Sequence, residues 1–177
     1  MALRVDRSKL AARPGLYTAV VTARAGGAFA ASTPVTFYVE PPSYDLNLTV
    51  TALPDAADAV SQWGAAWVIS LDDPTAFSDI VPLDLGERTT VRVPAGRYSV
   101  VGYQFEDNLD TGGTRMGLVG DPDLTVAKDT DLLIDAATAK QVRGSVDGVA
   151  TEASQIGATY QQHARNGQFV SSDFAFA

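Results

Sequence analysis

Hydrophobic and polar residues alternate along this chain in short runs, and Gly or Pro interrupts them about every ten residues. Alternation with a period of two places one set of side chains on each face of a strand. Evenly spaced short strands with Gly/Pro turns predict an all-β fold. In Gly15 to Ala25, Leu16, Thr18, Val20 and Thr22 alternate with Tyr17, Ala19, Val21 and Ala23. Gly26-Gly27 is a hairpin-type turn, and Phe29 to Val39 is the return strand. Tyr44 to Ala52 opens a new unit, with Leu46, Leu48 and Val50 on one side and Asn47, Thr49 and Thr51 on the other. Trp63 to Leu71, Arg88 to Val93 and Arg97 to Glu106 follow as strands, with Pro94-Ala95-Gly96 turning the chain between the last two.

Other segments are less regular. Asp55 to Ser61 is Ala-rich and reads as one short helical turn or a loop. Ile80 to Leu85 holds Pro82, which has no N–H for a ladder, so it reads as an edge strand or a bulge. Met116 to Val119 is a short apolar segment, Asp121-Pro122-Asp123 is a turn, and Leu124 to Val126 and Asp131 to Asp135 close the unit. Ala136 to Lys140 is a tail with helical character.

Glu40-Pro41-Pro42 is a stiff junction, because proline fixes its own backbone and restricts the residue before it. The expected organisation is therefore three-part. Residues 1–41 are the last strands of an immunoglobulin- or fibronectin-like module. Residues 43–140 are an antiparallel β-sandwich, and 141–177 begin a further, truncated module. An internal echo fits this division. Gly15 and Gly96 each open a Gly-x-Tyr-[Ser/Thr]-x-Val stretch behind a Pro-containing turn. A tyrosine there flanks the core edge and leaves its hydroxyl to cap a loop.

Composition narrows the function. The net charge is −8 and the thirteen basic residues form no run, so a phosphate backbone or an anionic membrane surface would repel the chain. Nothing approaches the apolar length of a membrane span. The chain has no cysteine, which excludes a disulfide scaffold, a thiol nucleophile and a Cys-ligated zinc site. No signal peptide is recognisable at the start, since Arg4, Arg7, Lys9 and Arg13 interrupt any apolar core. Export would then rely on a signal upstream.

Few residues suggest chemistry. His163 is the single histidine and would have to serve any Ser-His-Asp triad, but it lies in a polar stretch and reads as exposed. Asp110-Thr111-Gly112 spells a motif of catalytic aspartates without the apolar flanks that hold such a carboxylate rigid. Asp107, Asp110, Asp121 and Asp123 are calcium candidates if their loops meet; otherwise they are solvated acidic loops. An EF-hand is excluded, because the twelfth position counted from Asp107 is Leu118. Asp72-Asp73 is a weaker candidate of the same kind. Trp63, Trp67 and Tyr103 are a possible sugar-stacking platform, or core aromatics. No catalytic residue and no organic cofactor is expected.

Two stretches carry a family resemblance. TPVTFYVEPPSYDLNLTV at 33–50, and VRVPAGRYSVVG at 91–102 with LVGDPDLTVAKDTDLLIDAATAKQV at 118–142, resemble the non-catalytic region downstream of the protease domain in large actinobacterial subtilisin-like peptidases. The Pro-Gly-x-Tyr element is also shared with sandwiches of the prealbumin-like and carboxypeptidase-regulatory type. The resemblance implies a secreted serine endopeptidase as parent. It implies an accessory role here, positioning that protease domain or contacting protein substrate or the cell envelope. No catalytic residue carries over, since the subtilisin His-Gly-Thr and Gly-Thr-Ser-Met-Ala motifs are absent. The alternative is a carbohydrate- or surface-binding module of an extracellular protein.

Overall fold

The computed structural model describes residues 6, 13–25, 28–54, 60–110, 112–142, 147–150 and 156–176. The expected turn at Gly26-Gly27, most of the Ala-rich segment 55–61, and most of 143–155 lie outside the described residues. The fold is all-β, as the alternation predicts. Eleven strands are described: β1 (Gly15–Ala25), β2 (Ala28–Val39), β3 (Ser43–Val50), β4 (Val60–Ser70), β5 (Ser78–Leu83), β6 (Arg88–Pro94), β7 (Gly96–Asn108), β8 (Thr114–Val126), β9 (Thr130–Ile134), β10 (Ile156–His163) and β11 (Phe169–Phe176). A 3-10 turn at Ala136–Thr138 stands where the helical tail was expected.

The chain divides into two compact units, Met1–Ser43 and Tyr44–Ala177, beside the Glu40-Pro41-Pro42 junction. The first holds the β1–β2 antiparallel hairpin, with Gly15 opposite Val39 and Tyr17 opposite Phe37. These two rings stack at 5.5 Å, nearly parallel.

The second unit is two sheets packed face to face. One has the order β6-β3-β9, the other β5-β4-β7-β8. All seven strands send side chains into one core: Leu46, Leu48 and Val50 from β3, Ala66 and Val68 from β4, Val81 and Leu83 from β5, Val93 from β6, Tyr98 and Val100 from β7, Val126 from β8 and Ile134 from β9. The leucine pair of β3 is fully buried, as its alternation requires. Burying a side chain of that size stabilises the fold by roughly 1.5–3 kcal/mol.

Two local features differ from expectation. The sandwich was expected to be antiparallel, yet β3 and β9 run parallel, Leu46 beside Thr130 through Val50 beside Ile134. Parallel neighbours need a long connection, and here the whole intervening run of strands supplies it. The Asp121-Pro122-Asp123 turn is instead a bulge inside the continuous strand β8: Tyr98 faces Leu124 while Val100 faces Asp121, so the extra residues sit opposite Ser99. Strand β8 is an edge strand, where a missing proline N–H removes no ladder bond, and bulges favour such edges. Pro82 likewise falls on the opposite edge strand, β5.

The β10–β11 hairpin belongs to the same compact unit as the sandwich. It lies on the outer face of the four-stranded sheet. Tyr160 packs beside Ala65, Val101 and Tyr103, and its hydroxyl shares a 2.7 Å hydrogen bond with that of Ser99. Gln162 Nε2 donates to the Pro122 carbonyl, and the Arg165 N–H donates to the Leu71 carbonyl.

Candidate functional site

Strand alternation divides β4 and β7 between two environments. Even-numbered positions (Ala66, Val68, Tyr98, Val100) enter the core. Odd-numbered positions (Trp63, Ala65, Trp67, Val101, Tyr103, Phe105) form the outer face. The pairing of β4 with β7 sets Trp63 opposite Phe105 and Ala65 opposite Tyr103.

The three expected aromatics share this face but differ in access. Tyr103 is buried. Trp67 is half-buried, and its indole N–H donates to the Ser78 hydroxyl at 3.1 Å. Trp63 is 52% exposed and stacks on Phe105 with ring centres 4.1 Å apart and planes 12° from parallel. One face of the indole is therefore taken by Phe105. A sugar-stacking plane needs several open ring faces, and of these three aromatics Trp63 alone exposes a large part of its ring. The exposed Ile80, opposite Trp67 on β5, extends the apolar strip. The hairpin packs on the sheet near Ser99 and Tyr103, and Trp63 is half-exposed.

The four calcium candidates are not brought together. Asp107 and Thr114 pair at one end of the β7–β8 ladder, where the Thr114 hydroxyl donates to Asp107 at 2.8 Å. Asp110 follows at the same end, its N–H bonded to Asn108 Oδ1. Asp121 pairs with Val100, seven ladder steps from Thr114, or roughly 20 Å at the strand rise. There Asp121 accepts the Asp123 N–H, and Asp123 is held by Arg97 at 2.6 Å. The continuity of β8 keeps the two pairs apart. Among the described residues no group of three or more His, Asp or Glu side chains is placed to hold a metal ion.

Asp73 accepts both the backbone N–H and the hydroxyl of Thr75, which hold its carboxyl below the usual carboxylate range. Asp72 accepts the Arg97 N–H and pairs with Arg165. His163 is exposed on β10 opposite Phe169, near the sheet end where Arg165 meets Leu71. Asp110 lies beyond the far end of β7, so histidine and aspartate occupy opposite ends of the sheet.

The burial of Glu106 with Arg115, and the buried Gln104, escaped the reading of the sequence. Glu106 is 3% exposed and accepts two N–H bonds from Arg115, at 2.9 and 2.6 Å. Arg115 also donates to the Pro54 carbonyl. Gln104, one inward position away, is buried with both ends of its amide unpartnered. It lies between Gly64 and Gly117 in the ladder, and Leu53 fills the space over Gly117. Phe105 was overlooked as well. Its spacing of two from Tyr103 puts it on the platform face, but its pairing with Trp63 depends on inter-strand register.

Comparison with protein-family models, with curated proteins and with solved structures gives no match.

Proposed function

We propose that this chain is a non-catalytic accessory segment of a secreted subtilisin-like serine peptidase, and that its second unit is a sandwich of the prealbumin-like or carboxypeptidase-regulatory-like type. In this reading the outer face of the four-stranded sheet meets protein substrate or another protein at the cell surface. The observation that carries the contact role is the exposed indole of Trp63, stacked on Phe105 on that face. Exposed aromatic surface rimmed by polar groups marks interaction sites. The peptidase parentage rests on the resemblance of residues 33–50, 91–102 and 118–142. The carbohydrate-binding alternative draws less support, because Tyr103 is buried and Phe105 takes one face of Trp63.

Two measurements test the proposal. Sequencing the coding frame upstream is expected to find a peptidase domain with His-Gly-Thr and Gly-Thr-Ser-Met-Ala motifs; a stop codon there overturns the parentage. The isolated chain is expected to leave labelled casein uncut. Hydrolysis abolished by a serine-directed inhibitor would overturn the non-catalytic assignment.

A further inference from the structure

The turn between β10 and β11 holds a reactive pair of residues. The chain has three asparagines, Asn47, Asn108 and Asn166; the first two precede leucine, and Asn166 alone precedes glycine. An asparagine amide can be attacked by the backbone nitrogen of the next residue, and a side chain on that residue hinders the attack. Glycine has none. Asn47 is buried and bonded to the Thr90 hydroxyl. Asn108 and Asn166 share one geometry. Each side-chain carbonyl accepts the N–H of the residue two further on, Asp110 at 3.0 Å and Gln168 at 2.9 Å. That bond folds the side chain back along its own main chain and polarises the Cγ carbonyl. The two sites therefore differ chiefly in the nitrogen that follows, Leu109 against Gly167. Asn166 and Gly167 are exposed, and a Cβ at Gly167 would meet nothing within 4 Å.

The closed turn restrains this chemistry. The Gly167 N–H donates to the Ala164 carbonyl at 2.9 Å, and the Ala164 N–H donates to the Gln168 carbonyl at 2.9 Å. A nitrogen whose hydrogen is held this way is slow to lose it to base. The turn is tied to the sandwich in its turn: the Arg165 N–H donates to the Leu71 carbonyl at 2.7 Å, and the Arg165 guanidinium pairs with Asp72. We propose that Asn166 is a deamidation site gated by the docking of the β10–β11 hairpin, and that its isoaspartyl product keeps the hairpin loosened. When the turn opens, base takes the Gly167 amide proton and the nitrogen attacks Asn166 Cγ. The new N–Cγ bond closes a succinimide as the Cγ–Nδ2 bond breaks, and the leaving nitrogen takes up a proton and departs as ammonia. Water then opens the ring at either carbonyl. One opening leaves an aspartyl residue with the main chain unchanged. The other routes the main chain through Cγ, one carbon longer, inside the loop that the Ala164–Gln168 bond closes. That bond and the Gly167 bond cannot both re-form across the longer link.

The full 177-residue chain is incubated at mildly alkaline pH beside the blocked peptide Ala-Arg-Asn-Gly-Gln, and peptide mapping by mass spectrometry follows conversion at Asn166 and Asn108. Asn166 is expected to convert in the folded chain about tenfold more slowly than in the peptide, and about three- to tenfold faster in Tyr160→Ala than in the parent, as local opening sets the rate. Asn108 should stay intact over the same period. Should Tyr160→Ala unfold the sandwich, Ser99→Ala takes its place; it removes only the partner of the Tyr160 hydroxyl, and a smaller rise is expected. The isoaspartyl fraction, separated by anion exchange, should show faster amide exchange in β10 and β11 than unmodified chain. Equal rates in the folded chain and the peptide overturn the gating, as do equal rates in the parent and the loosened variant. Absence of conversion in the loosened variant, or conversion of Asn108 as fast as Asn166, overturns the site. Unchanged exchange in the isoaspartyl fraction overturns the lasting release.

Discussion

Tyr17 and Tyr98 make the same contact in the two units of the chain. The Tyr17 hydroxyl donates to the Arg13 carbonyl at 2.7 Å, and the Tyr98 hydroxyl donates to the Pro94 carbonyl at 2.6 Å. Each tyrosine reaches back four residues across the turn that starts its strand. Each also meets a phenylalanine, Phe37 stacked and Phe77 edge-on. The Gly-x-Tyr echo of the sequence is thus a repeated corner that ties a turn to the strand it launches.

The two corners differ in burial, which gives a first prediction. Tyr98 is 1% exposed, and Tyr17 is half-exposed. Tyr98→Phe leaves a carbonyl without its donor at the core edge and should lower stability by about 1–2 kcal/mol in urea unfolding. Tyr17→Phe should have a smaller effect. Burial, and then the nearby Asp72 charge, push the Tyr98 hydroxyl up to about 12 from 10. Between those values the folded chain keeps a proton that the unfolded chain has lost. This contribution is therefore fully present below pH 10 and is lost as pH rises from 10 to about 12. Unfolding midpoints measured across that window should fall less steeply for Tyr98→Phe than for the parent.

A second prediction concerns the buried carboxylate of Glu106. Arg115→Ala removes its paired cation and should destabilise by about 2–3 kcal/mol, somewhat below the cost for a wholly buried pair because Arg115 is half-exposed. Adding Glu106→Gln should recover part of that loss, since the amide is neutral. A double-mutant cycle by denaturant unfolding checks it. Equal stability of Arg115→Ala and the double variant would sink the argument.

Gln104 should behave in the opposite direction. Its buried amide makes no hydrogen bond, so Gln104→Leu removes two unmet polar atoms with little change of shape. The leucine variant is expected to be more stable by about 1–2 kcal/mol, read as a higher thermal midpoint. A lower midpoint would mean that the amide has a bound partner in solution.

The β10–β11 hairpin should be the first region to loosen. A two-stranded hairpin is marginal without a surface to pack on, and Tyr160 is one aromatic that anchors it beside Val101 and Tyr103. Tyr160→Ala should speed amide hydrogen exchange in β10 and β11 while β4 and β7 stay protected. Uniform loss of protection across the sandwich would contradict this.

Much of the fold was legible because alternation is a local signal. Leu46, Leu48 and Val50 announced the core face of β3, and Pro94-Ala95-Gly96 announced the turn before Tyr98. Asp121-Pro122-Asp123 misled, because a turn and an edge bulge use the same residues and only the neighbouring strand tells them apart. The site was harder to read for a related reason. Trp63, Trp67 and Tyr103 could be placed on faces by counting in twos. Their exposure, and the stacking of Phe105 on Trp63, depend on the β4–β7 register and on where a distant hairpin settles. Neither is encoded in any one segment. The acidic pairs were separated by the length of β8, which a presumed turn had hidden.

The two prolines at the margins of the larger sheet have a consequence for life among many identical neighbours. Pro82 and Pro122 each interrupt the row of backbone donors that an incoming strand would need, and the kink at Pro122 bends that margin away. Strand-by-strand growth from either flank of this sheet is thereby disfavoured when identical molecules are crowded together.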